Sequence, residues 1–286
     1  MRPPEATFDA IGTRWRITTP EPLADRVLAR VHAVIDAYDR TWSRFRDDSV
    51  VAAMAREPGT YVLPDHAAAL LDHYDVLAAC TDGAVTPLVG RSLERLGYDA
   101  AYTLRPVGDP VPAAAPAAVS RDGHVLHVHE PVLLDVGAAG KGQLVDLVGD
   151  ELLACGIGTH TVDAGGDVLH RGPTPLRVAL QQPGHPTRAI GVVEVRDGAV
   201  CGSAVDRRTW GDGLHHVLDA RTGAPVRDVV ATWALAPTAM VADGLATALF
   251  LTDPDRLQAR YAHTYVQLHA DGHARYALAL PGELCA

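Results

Sequence analysis

Apolar and polar positions alternate along this chain with two different periods. Near the N-terminus Phe8, Ile11, Trp15 and Ile17, with Gly12 between them, show the period of two expected of one or two half-buried strands. From Pro20 to about Thr41 the period lengthens. Leu23, Val27, Leu28, Val31, Val34, Ile35 and Tyr38 recur at helical spacing, which predicts a helix with one apolar stripe. His66 to Cys80 repeats that pattern through Ala69, Leu70, Tyr74 and Leu77, and Thr81-Asp82-Gly83 supplies a stop. Pro and Ala dominate residues 104–123, a connecting segment rather than a full boundary, because apolar strands resume at Val125.

The middle of the chain alternates element types. Strand VLLDV, a Gly-rich turn, a helix from Gln143 to Cys155 and strand HTVDA suggest a mixed sheet with helices laid against it. RVALQQ, GVVEVRDGAVCGS with its Asp197-Gly198 turn, and HHVLDARTG are short strands separated by turn residues, which predicts antiparallel pairing. The last third adds strand VVATWALA, a helix from Thr238 to Leu251, a short helix from Pro254 and a hairpin turning at Asp271-Gly272. The class is α+β.

Composition narrows the function. A chain of 286 residues, 48% apolar, buries a substantial core as one large domain or two closely packed lobes. Its net charge of −10 repels a phosphate backbone, so nucleic acid is not an expected partner. A polyanionic ligand would need local cancellation by a divalent cation, by backbone N–H groups or by a few placed basic side chains. The N-terminus lacks a basic start followed by a long apolar run, and no stretch approaches the ~20 apolar residues of a membrane span, which gives a cytoplasmic expectation. Cys80, Cys155, Cys201 and Cys285 form no CxxC pair and read as reduced thiols.

Four segments carry possible chemistry. In LDVGAAGKGQLVDLV, Asp135 ends a strand, Gly137, Gly140 and Gly142 let backbone approach closely, and Lys141 adds charge where a helix begins, a layout suited to phosphates. The same turn also serves as an ordinary tight connection, and its spacing is neither a P-loop nor a dinucleotide fingerprint. In VADGLATALF, Asp243 and Thr247 lie four apart on one helix face and offer two hard oxygens, as magnesium requires, although a helix N-terminal Asp before an apolar stripe is also ordinary capping and dipole compensation. In LHHVLDARTG, His215 and His216 are adjacent on a strand and point to opposite faces, so at most one enters a site. In VDAGGDVLHRG, Gly165-Gly166 between Asp163 and Asp167 exposes backbone to a ligand or forms a simple bulged turn.

In this order the segments resemble the ApbE family, the FAD:protein FMN transferases. AIGTRW resembles the family's Met-Gly-Thr strand. WSRFRDDSVVAAM and TDGAVTPLVGRSLERLGYD follow it, and then come LDVGAAGKGQLVD, DAGGDVLHRG, HHVLDARTG and ADGLATALF. The resemblance implies a single two-lobed domain over 1–286, related to the T-fold, with mixed or antiparallel sheets flanked by helices. It implies FAD as substrate, Mg2+ against the pyrophosphate and an acceptor flavoprotein of unknown identity in the cytoplasm. Carried over by residue, Ala138 (through its carbonyl), Asp243 and Thr247 would hold the metal. Ile11, Ala84, Val85, Thr86, Asp135, Lys141 and Val217 would line FAD. His215 or His216, with Asp243, would serve catalysis: an acceptor Ser or Thr hydroxyl attacks the FMN phosphorus and AMP leaves. An FAD pyrophosphatase and a non-catalytic FAD-binding protein are the alternatives. The chain departs from the family pattern at Thr86 (usually Asp), Ala220 (Pro), Ile11 (Met) and Cys201-Gly202-Ser203 (a Thr-Ser-Gly-like run).

Overall fold

The computed structural model describes residues 3–285. It divides into two compact units. One takes the chain up to Asp36, Ala139–Asp206 and the chain from Asp228 onward; the other takes Ala37–Ala138 and Arg207–Arg227.

The first unit is organised by an eight-stranded sheet whose spatial order is also its chain order: β1 (Glu5–Ala10), β2 (Thr13–Thr18), β3 (His160–Ala164), β4 (Asp167–Arg171), β5 (Gly198–Ala204), β6 (Val229–Ala236), β7 (Thr264–His269) and β8 (Ala274–Tyr276). Every neighbouring pair runs antiparallel. The parallel pairing that a mixed sheet would bring is not found among the described residues. The helices explain the two faces. Helix α1 (Asp25–Trp42) buries Val27, Val31 and Ile35 at helical spacing. It starts at Asp25 rather than at the predicted Pro20. Pro22 fits only a first helical turn or a segment before it, and Asp25 places an acid at the positive end of the dipole. Helices α2 (Gly140–Ala154) and α3 (Ala239–Ala248) pack on each other and on the central strands. Their approach is close: a Cβ on Gly142 would lie 2.2 Å from the Ala239 carbonyl oxygen.

The opposite face of the sheet is covered by a second layer. Strands Leu176–Gln181, Ala189–Val195 and Gly282–Leu284 form a three-stranded sheet, and Leu180, Val193 and Val195 from it share a core with Val168, Val200, Ala231, Trp233 and Leu235 of the large sheet. This overturns the simplest reading of Asp197-Gly198. The turn passes the chain between two facing layers, because Val193, Val195 and Val200 gain more by burying against one another across layers than by pairing edge to edge. The period of two holds within the large sheet. Ala231, Trp233 and Leu235 face this core, while Thr232 turns to the helical face, where its hydroxyl donates to Ala246 O at 2.5 Å.

In the second unit a helix over Ala67–Cys80 accompanies an antiparallel sheet of Gly59–Val62, Val125–Val128 and Val119–Asp122, with Val125–Val128 in the middle. The predicted strand VLLDV is not a strand. Val132, Leu133 and Leu134 are all buried, so the apolar run reflects complete burial of an irregular segment, whose N–H groups at Val132 and Asp135 donate to Met54 O and Pro87 O instead of a ladder.

Candidate active site

The chemistry of the first unit gathers where α2 and α3 meet the sheet. Asp167 opens β4 and points away from Val168, hence toward the helical face, where its carboxylate meets the Lys141 ammonium from the first turn of α2. Asp167 is fully buried, and neither of its oxygens accepts another hydrogen bond among the described residues. Lys141 keeps 26% of its side chain exposed, so the ammonium bridges a dry acid and an accessible surface. One residue on, Gly142 N donates to Asp243 Oδ2 at 2.9 Å. Burial pushes the Asp243 carboxyl above the usual carboxylate range, opposed by the field of Lys141 and by that backbone donor. A buried acid short of positive charge is one that a cation would restore to its ionised form.

Asp146 fixes α3 from outside. Its two carboxylate oxygens accept from Ala239 N and Met240 N at 2.8 Å each, while the Thr238 hydroxyl caps Val241 N, so the helix that carries Asp243 has its first N–H groups satisfied by side chains. Thr247 follows Asp243 by four residues in α3, a spacing that puts a hydroxyl and a carboxylate on one helix face. Among the described residues no group of three His, Cys, Asp or Glu side chains is assembled. A cation here therefore depends on hydroxyl, carbonyl or ligand oxygens besides Asp243. Cys201, opposite Asp167 in the ladder, donates its thiol to Ala239 O at 3.4 Å, and burial raises it well above the ordinary thiol range, so it is a neutral packing group. Ile11 lies in the β1–β2 turn at φ 44°, a left-handed conformation that a β-branched residue adopts only under constraint. Thr13 beside it packs so close to Gly165 that a Cβ there would lie 2.1 Å from its hydroxyl oxygen.

The second unit holds the other predicted residues. Asp135 accepts from Arg44 Nε at 2.5 Å and, through its other oxygen, from Gly137 N at 2.7 Å. The Arg44 side chain is 2% exposed, donates to Tyr98 O at 2.6 Å and stacks over the rings of Phe45 and Tyr98. Ala138 N donates to the Tyr74 hydroxyl. Ala84 and Val85 are buried; Val85 N donates to the Thr81 hydroxyl, and the Thr86 hydroxyl accepts from Leu88 N, the first turn of a short 3-10 helix. Thr86 thus acts on its own backbone where the family's Asp would present a charge. The two histidines separate cleanly. His215 Nε2 bonds Val226 O at 2.8 Å and its Nδ1 accepts from Val217 N at 3.3 Å, so both ring nitrogens are committed to backbone. His216 keeps an Nδ1 with no hydrogen-bond partner among the described residues, and burial with the nearby Arg208 charge lowers it to about 4. Val217 is buried.

Of the predicted residues, Lys141, Asp243 and Thr247 belong to the first unit, where Gly142 N beside Lys141 bonds Asp243, with Ile11 in the β1–β2 turn of that unit. Asp135 with Ala138, Ala84 to Thr86, and His215 to Val217 stand in the second. Two residues escaped the sequence reading as site members. Asp167 had one legible signal, a lone acid heading a strand otherwise fit for burial. Arg44 had none locally, since its partner Asp135 is 91 residues away.

The sequence model of the ApbE family matches residues 11–270. The FAD:protein FMN transferase of Klebsiella pneumoniae (strain 342) is 28% identical over 276 residues, covering 87% of this chain and 78% of that protein. The FAD:protein FMN transferase of Rhodobacter capsulatus is 30% identical over 264 residues, and the match spans 85% of this chain and 50% of that longer protein. Among solved structures, the ApbE protein of Thermotoga maritima superposes with a TM-score of 0.84 at 24% identity, with 97% of each chain covered. The flavin transferase ApbE of Vibrio cholerae superposes with a TM-score of 0.79 at 21% identity, with 96% of each covered.

Proposed function

Because the chain belongs to the ApbE family, we propose that it transfers FMN from FAD to a Ser or Thr hydroxyl of an acceptor protein, with release of AMP. The observation that carries this reading is an accessible lysine in the first turn of α2 whose next residue, Gly142, donates its N–H to the buried Asp243 of α3. That is chemistry for a negatively charged ligand held with a metal. The reading further assigns FAD contacts to Ile11, Ala84, Val85, Thr86, Asp135, Lys141 and Val217. Asp243, Thr247 and the Ala138 carbonyl would hold Mg2+. When bound, the ion supplies charge neutralisation at the pyrophosphate.

The remaining roles fall to the chain's own groups. Lys141 offers a full positive charge to phosphate oxygen, and the first N–H groups of α2 add partial charge. In the transfer itself the acceptor oxygen forms a bond to the FMN phosphorus as the bond from that phosphorus to the bridging oxygen breaks, and AMP departs with the electron pair. The hydroxyl proton needs an acceptor. His216 is assigned that role over His215 because its Nδ1 is unengaged and, with a value near 4, it is a free base at neutral pH. Its low basicity means that it assists a proton already leaving rather than abstracting one outright.

The test is a product assay. The protein is incubated with FAD and Mg2+, with and without Ser- or Thr-containing acceptor proteins, while AMP, free FMN and acceptor mass are followed. An acceptor heavier by one FMN unit, with stoichiometric AMP, is expected. Free FMN without adduct would replace this reading by FAD hydrolysis, and bound FAD without any product would leave a binding protein.

A further inference from the structure

We propose that Asp167 is a positioning residue that holds Lys141 away from Asp243, leaving Asp243 open to the divalent cation. The proposal rests on the metal-site reading above and adds a residue to it. Three charged groups crowd this corner of the first unit: Lys141 on α2, Asp167 on β4 and Asp243 on α3. One ammonium faces two buried carboxylates, and it pairs with Asp167. Asp243 borders the same corner, since Gly142 N, one residue beyond Lys141, donates to its Oδ2 at 2.9 Å.

Asp167 is otherwise hard to account for. It is 0% exposed, neither oxygen has a backbone or hydroxyl donor among the described residues, and its ladder neighbour Cys201 gives its thiol to Ala239 O instead. A buried carboxylate with no hydrogen bonds is strongly disfavoured unless a cation compensates it. Its whole interaction is with Lys141, so its effect on the site passes through that side chain. Remove the charge at 167 and the ammonium loses its carboxylate partner, while Asp243 sits against the N–H of the next residue. Lysine then competes with the metal for the same oxygens. Supporting groups that orient metal ligands typically change metal affinity by about 10–100-fold when altered.

The experiment is a rescue measured by Mn2+ binding, read as the loss of free-ion EPR signal on titration of the full chain, with and without FAD. Asp167→Asn is expected to weaken Mn2+ binding about tenfold. Removing the lysine as well, in D167N/K141M, is expected to restore Mn2+ affinity in the FAD-free titration to within about threefold of the wild type, since no ammonium then competes. Asp167→Glu, which keeps the charge, should stay near wild type. If D167N does not fold, the Asp167→Ser pair of variants gives the same comparison. A direct charge effect of Asp167 on the metal predicts that the double variant stays weak, and a purely structural role predicts no rescue; either result overturns the proposal. A wild type that takes up no Mn2+ with or without FAD sinks the metal-site reading itself. A wild type that binds Mn2+ alongside an unaffected D167N sinks this inference alone.

Discussion

Asp135 and Lys141 stand six residues apart in one Gly-rich segment, and each forms a cation–carboxylate pair built to a different plan. In the second unit Arg44 brings a planar guanidinium that is 2% exposed, donates to Asp135 and Tyr98 O, and lies against two aromatic rings. In the first unit Lys141 brings a compact ammonium, about one quarter exposed, to an Asp167 that has nothing else. Arginine's fixed fork suits permanent engagement, whereas lysine is a mobile point charge that a phosphate can claim. The comparison assigns each cation a job: Arg44 fixes the backbone of the turn through Asp135 and Gly137 N, and Lys141 remains available to ligand.

The sharpest way to break this contrast is to remove the arginine. Arg44→Ala leaves Asp135 without its cation and opens the stack on Phe45 and Tyr98, and it is expected to lower unfolding stability by about 3–5 kcal/mol in urea titrations. Arg44→Lys should recover only a minor part of that, because one ammonium cannot reproduce the two hydrogen bonds and the stacking together. Full recovery with lysine would erase the distinction between the two pairs.

A second test uses pH, and the balance of opposing signs differs between the units. In the second unit burial lowers His73 and His216 to about 4. The unfolded chain therefore takes up protons first. The stability these histidines contribute is complete above about pH 6.5 and drains as pH falls toward 4, by up to about 3 kcal/mol each. In the first unit burial raises Asp146 to about 6 despite its two backbone donors. Its penalty is present above pH 6 and is relieved as pH falls toward 4, which offsets part of the acid loss from His160 and His263 of the same unit, both lowered by burial. Hydrogen exchange at pH 5 and pH 7 should show protection falling in residues 37–138 well before it falls around α2 and α3. The reverse order would contradict the burial assignments. His73→Leu should flatten the acid limb.

The third test concerns the accessible pair and its neighbour. Asp243→Asn keeps an oxygen acceptor for Gly142 N and loses only the charge. Flavin transfer should fall about 100-fold, equivalent to roughly 2.7 kcal/mol of lost transition-state stabilisation. Stability should change by less than about 1 kcal/mol or rise, because burial already disfavours the charged form of Asp243. A parallel collapse of folding and activity would mean that Asp243 supports the fold instead.

Much of this was readable in advance where local pattern and function coincide. The helices carrying Lys141 and Asp243 begin within a few residues of their predicted starts, since Gly140-Lys141-Gly142 and Thr238 are local signals. Strands His160–Ala164 and Val229–Ala236 match HTVDA and VVATWALA residue for residue, since both runs are β-branched or apolar and bounded by turns or loops. VLLDV failed because a fully buried irregular segment looks like a buried strand. The Asp197-Gly198 turn was visible, but whether it joins two neighbours or two layers depends on Val193, Val195 and Val200 meeting across a core, which no local signal encodes. The adjacent histidines do not share a strand, since Leu214–His215 ends before His216, so strand alternation does not separate them, and preferring His216 required knowing that Val226 O captures His215.

The smallest predicted effect tests burial itself as the variable that separates strong pairs from weak ones. Arg121 Nη2 reaches both Asp72 and Asp75, at 2.6 and 2.5 Å, so by geometry alone it rivals Arg44. Its partners, however, are 68% and 71% exposed, and water and salt already solvate them in the absence of the arginine. Exposed pairs of this kind contribute about 0–1 kcal/mol. Arg121→Ala should therefore lower stability by about 0.5 kcal/mol, and the loss should shrink further in 1 M NaCl, where the screening length is about 3 Å. The Arg44→Ala loss should persist in the same salt, because its pair is shielded from ions. A large and salt-insensitive Arg121→Ala effect would show that short distance rather than burial sets the worth of these pairs, and the division of labour drawn between Arg44 and Lys141 would lose its physical basis.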